Sequence, residues 1–366
     1  MVLRLFKPNI EKMEEENDVE GLIRASQTEK DYEIRARAAG ALGNIGDPRA
    51  VEPLSKGLKD TYYPVRVEVA NALGKIRDPR IVELLLGALT DQDINVKEKA
   101  WDALQKSCDA RNIETLIEAL HISETRDYAA KILGKIGIPA VEPLIRALEN
   151  DEYFVRVSAI EQLGRIGDER AVDPLIELLR NQDLMTLTVE ALGRIGDERA
   201  VDPLIELYEE GHSPKEIVGA LEGIGDEKAM DLFIKIIEDT GAEKEMRESA
   251  VRALSRYNNR MVIELLIETL KDCDLYSQVP EIAMKALTNI GKPAVEPLLK
   301  AFENKKPEYS NPFSTAEGYE KSTQLARIAT VLGKIKDKRA IEVLSQALKT
   351  DNRVVKIAVK EALEKF

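Results

Sequence analysis

The sequence predicts an all-α fold, an α-α superhelix of about eleven short helix pairs. Three observations predict it. A leucine-centred segment, LGNIGDPRAVEPL from Leu42, returns at near-constant spacing along the 366 residues. Within each copy the apolar residues recur at a helical period rather than at the period of a strand. The composition is 44% hydrophobic and 33% charged but only 5% aromatic, so the core must be Ala, Leu, Ile and Val.

The anchor leucines are Leu42, Leu73, Leu104, Leu133, Leu163, Leu192, Leu221, Leu254, Leu287, Leu332 and Leu363. They stand 29–33 residues apart, except for a gap of 45 before Leu332. The copies from Leu163 and Leu192 both read LGRIGDERAVDPL, and the copy from Leu332 reads LGKIKDKRAIEVL. Those at Leu104, Leu221 and Leu254 keep the apolar positions and lose the glycine after the anchor. Stacked repeats grow without dividing into separate cores, so one array is expected over residues 17–366. Residues 1–16 are read as a capping segment, with Leu3, Leu5, Phe6 and Ile10 covering the first unit. That segment lacks the long apolar stretch and small-residue cleavage site of a signal peptide. No apolar run reaches the ~18 residues that suggest a membrane helix.

Each unit reads as two helices. In the copy from Asp47 to Ile76, Asp47 is suited to cap a helix and Pro48 to be its first residue. Ala50, Val51, Leu54 and Leu58 share one helical face. Pro53 removes a backbone donor and crowds the preceding turn, so the helix should kink or restart there. Lys59–Tyr63 forms the turn, and Pro64, Val65 and Arg66 open a second helix that ends near Gly74. On the helical wheel from Arg66, Val69, Ala70, Ala72, Leu73 and Ile76 face inward. Their counterparts in the copy from Arg156 are Ala159, Ile160, Gln162, Leu163 and Ile166. The small alanines let neighbouring helices approach closely.

Two charged series follow the repeat. Arg35, Arg66, Lys97, Arg126, Arg156, Arg247 and Lys356 stand at second-helix starts. Asp31, Asp60, Asp91, Asp151 and Asp351 stand in the turns before them. These are read as structural hydrogen-bonding groups. The series breaks at Met185, Pro214, Pro280 and Leu325. Nine residues after the helix start comes a second row: Asn44, Lys75, Lys106, Lys135, Arg165, Arg194, Gly223, Arg256, Asn289, Lys334 and Lys365. Its cations are read first as complements to the dipole in the last helical turn; the alternative reading of this solvated row is a docking rail for an acidic partner. The long gap contains ENKKPEYSNPFSTAEGYEKS, residues 303–322, read as a loop insertion because of its prolines, Asn311 and Gly318. Tyr309, Phe313 and Tyr319 are its candidate contact residues, since insertions in repeat arrays often touch partners.

The pattern VRxxAxxALGxIGDxRAVxPL resembles the short HEAT-like repeats of the phycobilin-lyase (PBS lyase) type, from about Asn17 to Phe366. The resemblance implies a right-handed superhelix with first helices convex and second helices concave. It specifies architecture and leaves function open. HEAT-like deoxyhypusine hydroxylases hold iron through His-Glu pairs. Here His121 precedes Ile122 and His212 precedes Ser213, so that pattern is missing, and both histidines are read as ordinary surface residues. HEAT-like DNA glycosylases need a basic, aromatic-lined cleft, whereas this chain has a formal net charge of -13. Nucleic acid is therefore not an expected partner. Trp101 is read as core filler. No cofactor or metal is expected, and Cys108 and Cys273 are read as free thiols suited to the cytoplasm.

The expected function is a non-catalytic scaffold or adaptor that binds a protein or peptide on its concave face and is monomeric when free. The alternative is an accessory tetrapyrrole lyase-like protein acting with a partner subunit. Positions two, five and nine of the second helices supply the candidate contacts: Lys99, Asp102, Tyr128, Lys131, Glu161, Arg165, Glu190 and Arg194.

Overall fold

A computed structural model describes residues 8–239, 241–272, 277–304 and 316–366. The described residues form 23 α-helices and no strand. The chain divides into two compact units, Met1–Leu178 and Leu179–Phe366.

In the first unit the helix Ile10–Glu15 precedes five pairs. These are Val19–Thr28 with Tyr32–Ile45, Val51–Gly57 with Tyr63–Leu73, and Ile81–Ala88 with Ile94–Ser107. Ile113–Ala119 with Ser123–Ile136 and Val141–Ala147 with Tyr153–Ile166 follow, and Val172–Leu178 ends the unit. The second unit opens on Met185–Ile195. Its pairs are Val201–Glu209 with Pro214–Ile224, Met230–Glu238 with Lys244–Leu254, and Arg260–Thr269 with Val279–Ile290. Lys292–Asn304 with Ala316–Ile335 and Arg339–Ala347 with Arg353–Leu363 complete it. All eleven anchor leucines lie in second helices. Ten are fully buried and Leu363 is half-buried.

The local chemistry of a unit explains its outline. Asp47 accepts a hydrogen bond from the Arg49 N–H and caps a 3-10 turn over Pro48–Ala50. The α-helix proper begins at Val51, so Pro53 falls in its first turn, where a missing donor breaks no bond. The expected restart is therefore present, two residues ahead of the proline. Gly46 ends the preceding second helix at φ 74° and donates its N–H to the Leu42 carbonyl. A side chain there would be strained, which accounts for glycine in the IGD triplet. Asp47, Asp78, Asp109, Asp168, Asp197 and Asp337 each bind the guanidinium two residues on. That guanidinium and the N–H of the same arginine hold the carboxyls of Asp109 and Asp337 down at about 2.

Neighbouring second helices meet at a glycine–alanine contact. A Cβ on Gly43 would lie 2.5 Å from Ala72 Cα, and one on Gly193 would lie 2.6 Å from Ala220 Cα. Gly333 meets Ala362 in the same way at 2.7 Å. Val69, Ala70, Ala72, Leu73 and Ile76 are all buried as the wheel predicts. In the other copy Ala159, Ile160, Gln162 and Leu163 are buried, but Ile166 is half-buried.

The arginine ladder joins successive turns. Arg35 clasps Asp60 with two bonds of 2.7 and 2.9 Å and donates to the Glu29 carbonyl. Arg66 repeats this with Asp91 and the Asp60 carbonyl. Arg247 reaches Asp272 at 3.3 Å. Arg126 and Arg156 depart from the pattern. Arg126 donates to the Leu120 carbonyl and lies over the Phe154 ring, while the Asp151 side chain stays exposed. Arg156 donates to the carbonyls of Asn150 and Asp151. At the predicted break, Leu325 is buried and Arg327 takes over two residues later. It donates to the carbonyls of Leu270 and Asp272.

The insertion corrects one expectation. Glu303 and Asn304 end the helix Lys292–Asn304, and 316–322 form the first turns of Ala316–Ile335 rather than a loop. Gly318 and Ser322 are buried, and Ser322 Oγ accepts a bond of 2.7 Å from Asn352 Nδ2. The glycine that suggested a loop therefore serves packing inside a helix. Tyr319 is on that helix and exposed, whereas Tyr309 and Phe313 lie outside the described residues, as do Leu3, Leu5, Phe6 and Cys273.

Candidate functional site

The second helices of the first unit pack side by side, and their outward positions form a row. Lys99 and Asp102 stand on Ile94–Ser107, Tyr128 and Lys131 on Ser123–Ile136, and Glu161 and Arg165 on Tyr153–Ile166. Spacings of three and four residues put each pair on one helical face. Asp102, Lys131 and Arg165 are exposed, and Lys99, Tyr128 and Glu161 are half-buried. Among the described residues, none of the five charged groups forms a hydrogen bond or ion pair.

Trp101 belongs to this row. It is half-buried rather than core, and its ring packs against Tyr128 at 5.2 Å between centroids, tilted by 56°. Position four after Lys97 lies at the margin of the apolar stripe, where a side chain as large as indole reaches past its neighbours. The chain's single tryptophan thus stands beside a predicted contact residue.

The second unit carries the other two candidates, Glu190 and Arg194, on Met185–Ile195. They pair with each other at 3.1 Å, one turn apart. Their charges are already partly satisfied, unlike those of the first unit.

The ninth-position cations are exposed, as the wheel requires, yet several bind the preceding pair. Lys75 donates to Asn44 Oδ1 at 2.8 Å, Lys135 to the Gln105 carbonyl at 2.6 Å, and Arg256 to the Glu222 carbonyl at 2.6 Å. Lys135 and Arg256 thus meet carbonyls near the end of the neighbouring second helix, where the dipole is negative. Lys75 and Lys106 also border a cleft of about 510 Å³ with Arg77, Asp78, Asp109 and Arg111. Both of its carboxylates are engaged by arginine.

His121 has a structural role that sequence reading missed. Its Nδ1 lies 3.2 Å from the Glu118 carbonyl, and its Nε2 lies 3.3 Å from Asn150 Nδ2 in the next turn. His212 is exposed. Among the described residues, no three His, Cys, Asp or Glu side chains stand together as a metal site. No described helix is long and apolar enough to cross a membrane. Burial pushes the Cys108 thiol up to about 11, so it is a poor nucleophile.

Paired helices, a repeating register and a row of outward side chains define an α-helical repeat protein. Models of HEAT repeats match residues 51–128 and 123–187, and those of the PBS lyase HEAT-like repeat match 34–60, 188–210 and 325–350. The chain is a HEAT-repeat protein, with units of the short PBS lyase type.

Phycocyanobilin lyase subunit alpha from Picosynechococcus sp. is 49% identical over 55 residues. That match covers 15% of this chain and 20% of the relative's length. A triple mutant of Kap121p has a TM-score of 0.54 at 16% identity, over 95% of this chain and 46% of that one. Kap121p bound to the extreme C-terminus of the protein phosphatase Cdc14p gives 0.51 at 16%, over 94% and 45%. The chain thus spans less than half the length of these solved chains, and at such identity the likeness shows the fold alone.

Proposed function

We propose that the chain is a non-catalytic, protein-binding scaffold that takes a protein or peptide along the exposed faces of its second helices. The carrying observation is the half-exposed Trp101–Tyr128 pair, together with the unpaired charges of Lys99, Asp102, Lys131, Glu161 and Arg165 on the same two helices and the next second helix. Aromatic anchors within a polar rim are the usual anatomy of a protein-binding surface. Glu190 and Arg194 extend the reading to the second unit, where an arriving partner must compete with their mutual ion pair. Kap121p, whose fold is similar, has been solved bound to the extreme C-terminus of the protein phosphatase Cdc14p. The proposal includes a monomeric free state and a cytoplasmic setting, which suits the free thiol of Cys108.

The test is capture from native lysate with the wild type, Trp101→Ala, and a Lys131→Glu/Arg165→Glu double variant. Specific partners of the wild type should be lost by both variants, about tenfold or more, and should weaken with added salt. Retention of every partner by both variants rejects the second-helix face as the docking site.

A second reading, an accessory role in tetrapyrrole attachment, rests on the 55-residue match to the phycocyanobilin lyase subunit. Incubation with phycocyanobilin separates the two readings. The scaffold leaves the pigment spectrum unchanged, whereas tight binding or a shifted visible band moves the assignment to the second.

A further inference from the structure

Two departures from the repeat meet in one cleft of the first unit. Gly46, Gly167, Gly196 and Gly225 each stand four residues past an anchor leucine and end their helices at positive φ. After Leu73 that place is held by Arg77, which does not enter the left-handed region. The helix Tyr63–Leu73 therefore stops at its anchor, whereas Tyr32–Ile45 runs on past Leu42. Gly74, Lys75 and Ile76 form turns instead of helix. In the next unit Asn112 stands where Ala50, Ala171 and Ala200 stand in others. Arg77 and Asn112 both line the cleft of about 510 Å³ beside these turns.

The cleft holds more cations than its carboxylates can answer. Its charged lining is Lys75, Arg77, Lys106 and Arg111 against Asp78 and Asp109. Arg80 takes Asp78 and Arg111 takes Asp109, each at 2.7 Å. Lys75 meets only the neutral Asn44. Among the described residues Arg77 and Lys106 have no partner, and Asp102, one turn before Lys106, forms no ion pair with it. Asn112 adds a donor. It is 4% exposed, and its Oδ1 accepts the Asp109 N–H at 3.1 Å. Its Nδ2 donates to none of the described residues.

The helix ends beside the cleft carry negative dipole ends, which would attract these cations. Their carbonyls are already engaged. Those of Ala70, Ala72, Leu73 and Leu104 accept N–H groups of the chain, and that of Gly74 accepts the Ser107 hydroxyl at 3.0 Å. The Gln105 carbonyl, next to Lys106, takes Lys135, which brings one more positive charge. On a chain with a formal net charge of -13 the surplus is local.

Three cations without a carboxylate, and a free amide donor, fit a group with more than one negative charge and several acceptor oxygens. A carboxylate brings one charge and two oxygens. A phosphomonoester brings a charge of about -1.5 to -2 at neutral pH and three terminal oxygens. The flat fork of an arginine matches phosphoryl oxygens in pairs. The cleft volume also falls within the ~300–1,000 Å³ of small-ligand sites. We propose that the cleft between residues 74–79 and 106–112 binds a phosphomonoester, held by Lys75, Arg77, Lys106 and the Asn112 amide. The group is carried by a phosphorylated side chain of a partner or by a small phosphorylated metabolite, and its chemistry is the same in both. This goes beyond the second-helix site, because none of these residues belongs to it.

The test is calorimetric titration of the full chain with four probes. They are a short glycine-serine peptide with one phosphoserine, the same peptide with glutamate there, glycerol phosphate, and a thymidine dinucleotide with a single phosphodiester. One or both phosphomonoesters should bind about tenfold tighter than the glutamate peptide and the phosphodiester. Binding by the phosphopeptide alone supports the site with a partner's side chain as the source, and binding by glycerol phosphate alone supports it with a metabolite. Equal binding supports recognition of the phosphoryl group itself. Lowering the pH from about 7.5 to about 5.5 protonates the phosphomonoester, whose second pKa is about 6, and should weaken binding about threefold or more. Asp78 and Asp109 stay ionised over this window, because Arg80 and Arg111 hold their carboxyls below the usual range. Arg77→Gln and Lys106→Gln should each weaken binding about tenfold. Both positions are exposed, and circular dichroism checks that each variant is folded. Trp101→Ala should leave this binding unchanged, so failure here is distinguishable from failure of the second-helix site. The proposal is overturned if neither phosphomonoester binds, if the glutamate peptide or the phosphodiester binds as tightly, if the affinity ignores pH, or if both variants bind like the wild type.

Discussion

Gly193→Ala is expected to destabilise the second unit by about 2–3 kcal/mol, although alanine is the better helix former. Propensity alone predicts a gain of ~1 kcal/mol. The opposing term is steric: the new Cβ would lie 2.6 Å from Ala220 Cα and 2.8 Å from Ala220 Cβ, so the backbones themselves must part. Gly223 sits in the same contact, its own Cβ position 2.9 Å from the Gly193 carbonyl oxygen. No rotamer change relieves such a clash, since the obstructing atoms are main chain. Gly219 supplies the internal control. It lies in Pro214–Ile224, is exposed, and a Cβ there meets nothing within 4 Å. Gly219→Ala should therefore stabilise by about 0.5–1 kcal/mol. Urea unfolding followed by circular dichroism checks both signs. Equal stabilisation by the two substitutions would mean that helix propensity governs both sites and that close packing does not account for the glycine after the anchor leucine.

That contrast marks what could be read from the sequence. The anchor leucines recur eleven times, and the Asp47 cap, the restart at Pro53 and the ladder arginines each recur in several units; repetition separates a structural demand from chance. The wheel correctly buried Ala72 and Gln162. It failed where size or local context outweighs periodicity. Trp101 occupies a marginal position, and only its bulk carries the ring to Tyr128. Gly318 looked like a loop residue because glycine opens loops more often than it packs helices, but here it is buried under Ser322's turn. Arg327 was invisible for another reason. The longer helix Ala316–Ile335 shifts its phase, so Gln324 and Arg327 reach the carbonyls of Ile267 and Leu270, more than fifty residues away. The candidate contacts were legible as positions on a face. Whether their charges are free was not: Arg165 and Arg194 hold the same place in the repeat and each has a glutamate one turn back, Glu161 and Glu190, yet of the two only Arg194 closes the ion pair.

The ladder carries the other large effect. Arg66→Met should cost on the order of 2–4 kcal/mol at neutral pH, because it strands Asp91 in a site where both side chains are mostly buried, 15% and 12% exposed. It also leaves the Asp60 carbonyl without a donor. Asp91→Asn in the Arg66→Met background should return part of the loss, since an amide tolerates the site without a cation and keeps the bond from the Asp93 N–H. The pH dependence follows from the carboxyls. The Arg66 guanidinium holds Asp91 below the usual range against the effect of burial. Burial pushes Asp60 up, but the bond from Arg35, the Tyr62 N–H and the charges of Arg35 and Arg66 bring it below the usual range as well. A depressed folded-state value stabilises the fold fully above the unfolded value of ~3.9, and that stability is lost as pH falls through the folded value. The gap between wild type and Arg66→Met should therefore be constant from about pH 5 to 8 and narrow below about pH 4, where Asp91 protonates. Hydrogen exchange of the turns holding Asp60 and Asp91 gives a local reading, because repeats open in part without global unfolding. A gap that stays the same down to about pH 2 would mean that Arg66 acts through its carbonyl bond and packing alone, and that the ion pair adds nothing to the joint between neighbouring turns.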